Sequence, residues 1–169
     1  MKSQFTIGIL LIFFAGCTVV VPEVDETPPV IRFEISGEDV ERTFVTEDDF
    51  SEQLNLVNDA TYRFEFTASD QGGMQLIRWQ LPENATVEFQ TEIPEEWTVH
   101  ETSPLSRLIE WTGDESAPIT GSVLIGRFTI HADNTSFDMQ FQARDFGGRD
   151  GAANTTTRTL NVFSEVPED

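Results

Sequence analysis

Two aspartates have the clearest chemical signature in the chain, because each lies in a copy of the same short pattern. The pattern Ala-x-Asp-x-Gly-Gly occurs at residues 68–73 and again at residues 143–148, which gives Asp70 and Asp145 equivalent places. A carboxylate in such a turn accepts hydrogen bonds from its own backbone, and glycine tolerates the positive φ angles that follow. Carboxylate oxygens are also the ligands that Ca²⁺ prefers. The pattern therefore has two interpretations, turn capping alone or participation in a cation site.

Cys17, the only cysteine of the 169-residue chain, is also chemically distinctive. It follows Lys2, an apolar run from Phe5 to Ala15 and then Gly16, which together have the form of a secretory signal. The apolar run is too short to span a bilayer comfortably as a helix. A lone cysteine cannot form an internal disulfide, so an exported chain that keeps one needs another use for the thiol.

The residues before this cysteine suggest that use. Phe14-Ala15-Gly16-Cys17 resembles the lipobox of bacterial lipoproteins, in which an aliphatic residue and two small residues precede the cysteine. The resemblance implies that residues 1–16 are a signal peptide, that cleavage falls between Gly16 and Cys17, and that Cys17 carries diacylglycerol. Two or three acyl chains, at about 0.8 kcal/mol per buried methylene, give a durable anchor. By resemblance to the sorting of enterobacterial lipoproteins, Thr18 in place of aspartate implies the outer membrane, with the protein facing the periplasm or the cell surface.

The composition is strongly acidic. Thirty Asp and Glu residues outnumber ten Lys and Arg residues, which gives a formal net charge of −20. The only lysine, Lys2, lies in the signal peptide, so arginine is the only strong cation of the exported protein. Such a surface repels DNA, RNA and anionic lipid headgroups. We therefore expect no nucleic-acid partner, and an acidic coat that is either simply solvated or able to bind cations.

Apolar and polar residues alternate with a period of two along the rest of the chain, which predicts strands with one buried and one exposed face. The clearest are Ile31–Ile35, Tyr62–Ala68, Ile77–Leu81 and Phe137–Ala143. The stretch Gly37–Val57 is predicted to hold an extra strand or a short helix. No segment has the pattern of a long helix.

These strands predict a single domain over residues 28–163. Residues 17–29 begin with the cysteine and contain three prolines but no apolar periodicity, so they are predicted to be an extended tether. Residues 164–169 are predicted to be an acidic, frayed tail. The expected layout is therefore a lipid anchor at Cys17, a tether over residues 17–29 and a head formed by the domain of residues 28–163.

The head resembles bacterial immunoglobulin-like and cadherin-like surface modules, on the evidence of the two Asp-containing turns and of Thr27-Pro28-Pro29-Val30-Ile31 at its start. The resemblance implies an all-β, immunoglobulin-like antiparallel β-sandwich of about 7–9 strands without a disulfide. The first turn would then join strands B and C, and the second strands F and G. Trp79 would lie on strand C, within the core.

In that implied topology the B–C, D–E and F–G loops meet at one end of the sandwich, beside the start of strand A. Four aspartates there are candidate Ca²⁺ ligands, with Asp25, Glu26 and Glu115 nearby: Asp70, Asp114, Asp145 and Asp150. Ca²⁺ takes about six to eight oxygen ligands, and several loops can supply them. The alternative is that Asp70 and Asp145 only cap their turns and that the protein requires no cofactor.

Trp97 is a candidate ligand-binding residue, because it follows the turn-like Pro94-Glu95-Glu96. An exposed tryptophan there would stack on a sugar ring or anchor a protein partner. Burial in the core is the open alternative. Trp111 alternates with Ile109, which favours burial for that second tryptophan.

Catalytic motifs do not occur in the sequence. His100 and His131, the only histidines, do not have a metal-ligand spacing, and neither a Gly-x-Ser-x-Gly elbow nor a phosphate-binding glycine loop is present. We therefore predict a membrane-anchored envelope module that binds a protein or a glycan without catalysis, with Ca²⁺ as a candidate aid. The alternative is a structural or assembly subunit of an envelope complex, and an enzyme with an unrecognised site is a remote third.

Overall fold

The computed structural model describes residues 20–82, 86–103 and 106–166, with the backbone alone for residues 101–103. The predicted signal peptide, the cleavage site between Gly16 and Cys17, and the last three residues of the tail lie outside the described residues. Within the described part, no helix is both long enough and apolar enough to cross a membrane.

Eleven strands and one short helix make up the described fold. In chain order they are β1 (Val30–Gly37), β2 (Val40–Phe44), α1 (Glu47–Phe50), β3 (Leu54–Val57), β4 (Thr61–Ser69), β5 (Met74–Pro82), β6 (Val87–Phe89), β7 (Trp97–Ser103), β8 (Ser106–Thr112), β9 (Gly121–Ile130), β10 (Thr135–Asp145) and β11 (Thr155–Glu165). The four segments with the clearest alternation are confirmed as β1, β4, β5 and β10.

The strands form two sheets that pack face to face as a sandwich. One sheet has the order β2-β1-β4-β9-β6 and the other the order β3-β11-β10-β5-β8-β7. Among the described strands every pairing is antiparallel except that of β3 with β11. The predicted all-β, immunoglobulin-like sandwich is confirmed. It has more strands than expected, partly because the segment between β1 and β4 folds into β2, α1 and β3.

The core lies between the inner faces of the two sheets, and Trp79 of β5 is at its centre. The Trp79 ring is fully buried and stacks on Phe141 of the neighbouring strand at 5.6 Å between centroids. It also contacts Phe33 and Phe64 of the opposite sheet, with centroids 5.5 and 4.9 Å away. Aromatic rings from both layers therefore interlock around one residue, as the placement on strand C predicted.

The helix α1 has only four residues, and its start is fixed by a capping box. The Thr46 side chain accepts from the Asp49 N–H, while the Asp49 carboxylate accepts from the Thr46 N–H at 2.8 Å. Phe50 at the other end enters the core, 5.7 Å from the Phe141 ring. The predicted extra element between residues 37 and 57 is confirmed.

The domain extends further at its C-terminal end than the sequence predicted. β11 continues to Glu165, and Ser164 is fully buried where a frayed tail was expected. The reason is a second neighbour, because β3 pairs in parallel with residues 162–165 and so keeps the end of β11 inside the sheet.

Candidate functional site

Three carboxylates meet at the loop end of the sandwich. They belong to Asp25 of the tether, Asp70 after β4 and Asp145 at the end of β10. Each offers one oxygen atom, and the three oxygens lie within 4.8 Å of one another. The two aspartates of the repeated pattern therefore do converge, and the third member comes from a segment that the sequence placed only nearby.

The tether reaches this site because its backbone is bonded to the loop between β10 and β11. The Asp25 N–H donates to the Gly147 carbonyl at 2.8 Å, and the Asp150 N–H donates to the Glu23 carbonyl at 2.8 Å. Gly148 permits this approach, since a β-carbon at that position would lie 2.8 Å from the Pro22 carbonyl oxygen. The last part of the predicted free tether is therefore docked on the head.

Each carboxylate has a different set of hydrogen bonds. Asp70 caps its own turn as predicted, with Oδ1 accepting from the Gly72 N–H at 2.6 Å. Asp145 instead binds across its loop to Asn154, accepting from the backbone N–H at 2.6 Å and from Nδ2 at 2.9 Å. Asp25 accepts through Oδ1 from the Thr27 N–H at 2.8 Å, and its carboxylate lies beside the Asp70 side chain and the Gly72 backbone. Its Oδ2 is buried and has no hydrogen-bond partner among the described residues.

The three negative charges lie in a poorly solvated place. Asp145 is fully buried and Asp25 is 7% exposed. Burial raises the pKa of Asp70 to about 6, and the carboxylates of Asp25 and Asp145 contribute to the increase. The pKa of Asp25 is lowered, mainly by the hydrogen bond from the Thr27 N–H. No ion pair links the three carboxylates to an arginine in the described part of the chain.

The other two aspartates predicted as ligands are not part of this cluster, which corrects the sequence-based set. Asp114 does lie in a loop at this end, but its Oδ1 accepts from the Ser116 N–H at 2.8 Å and from the Ser116 hydroxyl at 2.7 Å. Asp150 contributes its backbone N–H to the docked tether, and its side chain is exposed. Both residues are in the right loops, but neither carboxylate is among the three that converge.

Trp97 is a core residue, so its interpretation as a ligand-binding residue is corrected. It is 4% exposed, and its ring lies 6.1 Å from that of Phe66. The reason is that β7 begins at Trp97 and pairs it directly with Trp111 of β8, which turns both side chains inward. Trp111 is 7% exposed, as its alternation with Ile109 predicted.

His131 joins two elements at the opposite end of β9. Its Nδ1 lies 2.7 Å from an oxygen of Asp59, in the turn before β4, and its Nε2 lies 3.0 Å from an oxygen of Glu88 on β6. The hydrogen bond to Asp59 raises the pKa of His131, and the bond to Glu88 adds to the increase. The sequence could not reveal this contact, because both partners are distant from His131 in the chain.

This contact makes stability pH-dependent. A raised folded-state pKa means that the contribution is complete below the unfolded value of 6.5 and is lost as the pH rises through the folded value. We expect the free energy of unfolding of the wild type, measured with urea, to fall relative to that of His131→Gln as the pH rises from below 6.5 through the raised folded value, by at most about 1 kcal/mol because the group is exposed. His100→Gln is the matched control. A constant difference between wild type and His131→Gln across this range would contradict the prediction.

The first half of β9 is an open edge of its sheet. The Arg127 carbonyl accepts from the Gln90 N–H at 2.8 Å, on the side away from β4. Because backbone groups alternate along a strand, those of Val123 and Ile125 point the same way. The described residues include no strand paired with residues 121–126 on that side, since β6 pairs only with residues 128–130.

This open edge carries apolar side chains and no charge. Residues 121–126 read Gly-Ser-Val-Leu-Ile-Gly, and the side chains of Val123 and Ile125 are 43% and 45% exposed. Open edges in natural sheets are ordinarily protected by charged residues, proline or bulges. None of these devices occurs in residues 121–126, although the chain is rich in acidic residues elsewhere.

Comparison with known proteins gives no family. No family model matches the chain, and no curated protein matches it. Among solved structures, a chain of the CaDoc0917–CaCohA2 complex has a TM-score of 0.38 at 16% identity, covering 68% of this chain and 95% of that chain. A cohesin module from a family 33 glycoside hydrolase of Clostridium perfringens has a TM-score of 0.40 at 12% identity, covering 80% and 98%. At these values neither structure assigns the chain to a family.

Proposed function

We propose that the chain is an exported lipoprotein, anchored through Cys17 in the outer membrane, whose head binds a partner protein without catalysis. The observation that carries the proposal is the uncharged open edge of β9 at residues 121–126. An extended segment of the partner adds to this edge as a further strand, so that main-chain hydrogen bonds supply affinity and pockets for alternate side chains supply specificity.

The exposed side chains favour a protein over a glycan as the partner. Sugar rings are bound by exposed aromatic rings, whereas the exposed large hydrophobic side chains of the described residues are all aliphatic. Val123 and Ile125 both lie on the outer face beside the open backbone groups. The unpaired N–H and carbonyl groups can bond to the backbone of an added strand, and the aliphatic side chains beside them can pack against its side chains.

The charge of the head favours a partner other than a second copy of the chain. Two heads from a chain with a formal net charge of −20 repel each other at close range. A neutral or basic segment of another envelope protein meets no such penalty. The proposed partner is therefore a different protein that presents an extended, non-acidic segment.

Site-specific photo-crosslinking in the native cell envelope tests the proposal. A photo-crosslinking residue at position 123 is expected to give one discrete protein adduct, whereas the same residue at position 159, exposed on β11 of the other sheet, gives none. Ile125→Pro removes an N–H that points away from β4, so it blocks the added strand while leaving the β4 pairing intact. This variant is expected to abolish the adduct from position 123, and Ile125→Thr, which keeps the N–H, is expected to retain most of it.

Three outcomes would overturn strand addition by a partner. They are equal adducts from positions 123 and 159, an adduct of twice the mass of the chain, and an adduct that Ile125→Pro leaves unchanged.

The structural or assembly role is the second candidate, because a permanent subunit would cover the same uncharged edge. Its signature is a crosslinked partner that also co-purifies in a fixed ratio without crosslinking.

A further inference from the structure

We infer that Asp25, Asp70 and Asp145 form a Ca²⁺ site that fastens the end of the tether to the loop end of the sandwich. The inference goes beyond the proposed partner binding and does not depend on it. It differs from the sequence-based ligand set in two ways, since Asp25 enters the site and the side chains of Asp114 and Asp150 do not.

The spacing of the carboxylates suits a single Ca²⁺ ion. Ca²⁺ binds oxygen at about 2.3–2.6 Å, so two ligands on opposite sides of the ion lie about 5 Å apart at most. The three oxygens are within 4.8 Å of one another, and one ion can therefore contact all of them. Asp25, Asp70 and Asp145 come from three separate segments, as flexible Ca²⁺ coordination allows.

The unpartnered oxygen of Asp25 is an independent indication of a ligand. Asp25 is 7% exposed, and its Oδ2 has no hydrogen-bond partner among the described residues. A buried carboxylate oxygen without a partner is costly, and the cost is largest when other negative charges are close. Glycine at position 72 leaves room beside this atom, because a β-carbon there would lie 3.0 Å from Oδ2. A cation between Asp25, Asp70 and Asp145 would supply the missing partner.

The donor atoms select the ion. The cluster consists of carboxylate oxygens only, whereas zinc and copper sites use imidazole or thiolate ligands. Mg²⁺ keeps several waters and is usually held by one or two protein carboxylates, while Ca²⁺ accepts three or more in an irregular arrangement. The cluster of Asp25, Asp70 and Asp145 has no arginine partner in the described residues, so a divalent ion would offset most of its charge.

The site also has a mechanical consequence, which rests on the proposed lipidation of Cys17. Asp25 is eight positions after Cys17 in the chain, a span of at most about 28 Å when fully extended. With Asp25 held by Ca²⁺, the loop end of the head stays within that distance of the lipid. Release of residues 22–29 would lengthen the free tether to about 40 Å. By reinforcing the backbone hydrogen bonds that already hold residues 22–25 on the head, bound Ca²⁺ favours the shorter free tether, with the loop end facing the membrane.

Calorimetry on the full-length chain, purified in detergent and stripped with EDTA, tests the site. We expect one Ca²⁺ per chain, weaker binding of Mg²⁺, and a melting temperature raised by about 5–10 °C at a free Ca²⁺ concentration of about 100 times Kd. Asp70→Asn and Asp25→Asn are expected to weaken Ca²⁺ binding about ten-fold or more, because each removes one of three charged ligands. Asp114→Asn and Asp150→Asn are matched controls from the same end of the sandwich and are expected to bind Ca²⁺ as the wild type does.

Hydrogen exchange supplies a second readout, specific to the tether. Amides of residues 22–27 are expected to exchange more slowly with Ca²⁺ in the wild type and at an unchanged rate in Asp70→Asn. Circular dichroism in EDTA checks that each variant is folded. The inference is overturned if millimolar Ca²⁺ gives neither heat nor a melting shift, if Asp25→Asn binds as tightly as the wild type, or if Asp114→Asn loses as much affinity as Asp70→Asn.

Discussion

Replacement of Cys17 by serine is expected to remove fatty-acid label from the protein down to background and to leave residues 1–16 attached. Diacylglycerol transfer requires a soft sulfur nucleophile, and a serine hydroxyl at the same position does not form the thioether. Cleavage between Gly16 and Cys17 follows lipidation in the lipoprotein family that the leader resembles. The variant should therefore accumulate as a larger precursor that carries no label.

Metabolic labelling with an alkyne fatty acid, followed by mass spectrometry of the N-terminal peptide, measures both effects. Thr18→Ser changes the adjacent residue and keeps the thiol, so it should be labelled and processed like the wild type. Label on Cys17→Ser, or a wild-type N-terminus that begins anywhere other than Cys17, would refute lipidation at this position. The result is independent of the Ca²⁺ site, because the three carboxylates remain in place in either form.

The sandwich could be predicted from the sequence because its main signals are local. Alternation of apolar and polar residues is set within each strand, and it gave β1, β4, β5 and β10 within a few residues of their observed bounds. The Asp70 turn was equally local, since the carboxylate bonds an N–H only two residues away. Trp79 was placed in the core by the resemblance to immunoglobulin-like modules, and the buried Ile77 and Leu81 on the same face of β5 agree with that placement.

Asp70 and Asp145 of the carboxylate cluster were predicted, but the membership of Asp25, which the sequence placed only nearby, could not be predicted because it depends on contacts between distant residues. Asp25 is 45 residues from Asp70 and 120 residues from Asp145 along the chain. It reaches them through backbone hydrogen bonds of the tether to the loop after β10, and backbone bonding leaves no periodic trace in a sequence. The nearest available sign was Gly148, whose missing side chain admits the tether, but a glycine in a turn has commoner explanations.

The burial of Trp97 likewise depends on a distant contact, the register in which β7 pairs with β8. The preceding Pro94-Glu95-Glu96 is typical of a turn, and the structure does have a turn there, closed by the Trp97 N–H on the Pro94 carbonyl at 2.9 Å. Whether the next side chain points inward depends on the pairing of β7 with β8, which places Trp97 opposite Trp111. Because a shift of one residue would have turned Trp97 outward, local sequence left both outcomes open.

Trp79→Ala is expected to lower the free energy of unfolding by about 3–5 kcal/mol, the range for a large aromatic truncated in a core. The indole is fully buried and contacts rings of both sheets, including Phe64 at 4.9 Å and Phe141 at 5.6 Å. Its removal leaves a cavity between the two sheets. Since a domain of this size is stable by about 5–15 kcal/mol in total, the variant should lose a large share of its stability.

Urea unfolding of the head measures the loss, as a lower midpoint with an unchanged slope. Trp79→Phe is the informative control, because the indole N–H has no hydrogen-bond partner among the described residues and phenylalanine therefore gives up volume but no hydrogen bond. We expect it to lose about half as much as Trp79→Ala or less, which keeps the comparison possible even if the alanine variant does not fold. If Trp79→Ala lost less than about 1 kcal/mol, the two sheets would not depend on the ring between them, and the central role assigned to Trp79 would be wrong.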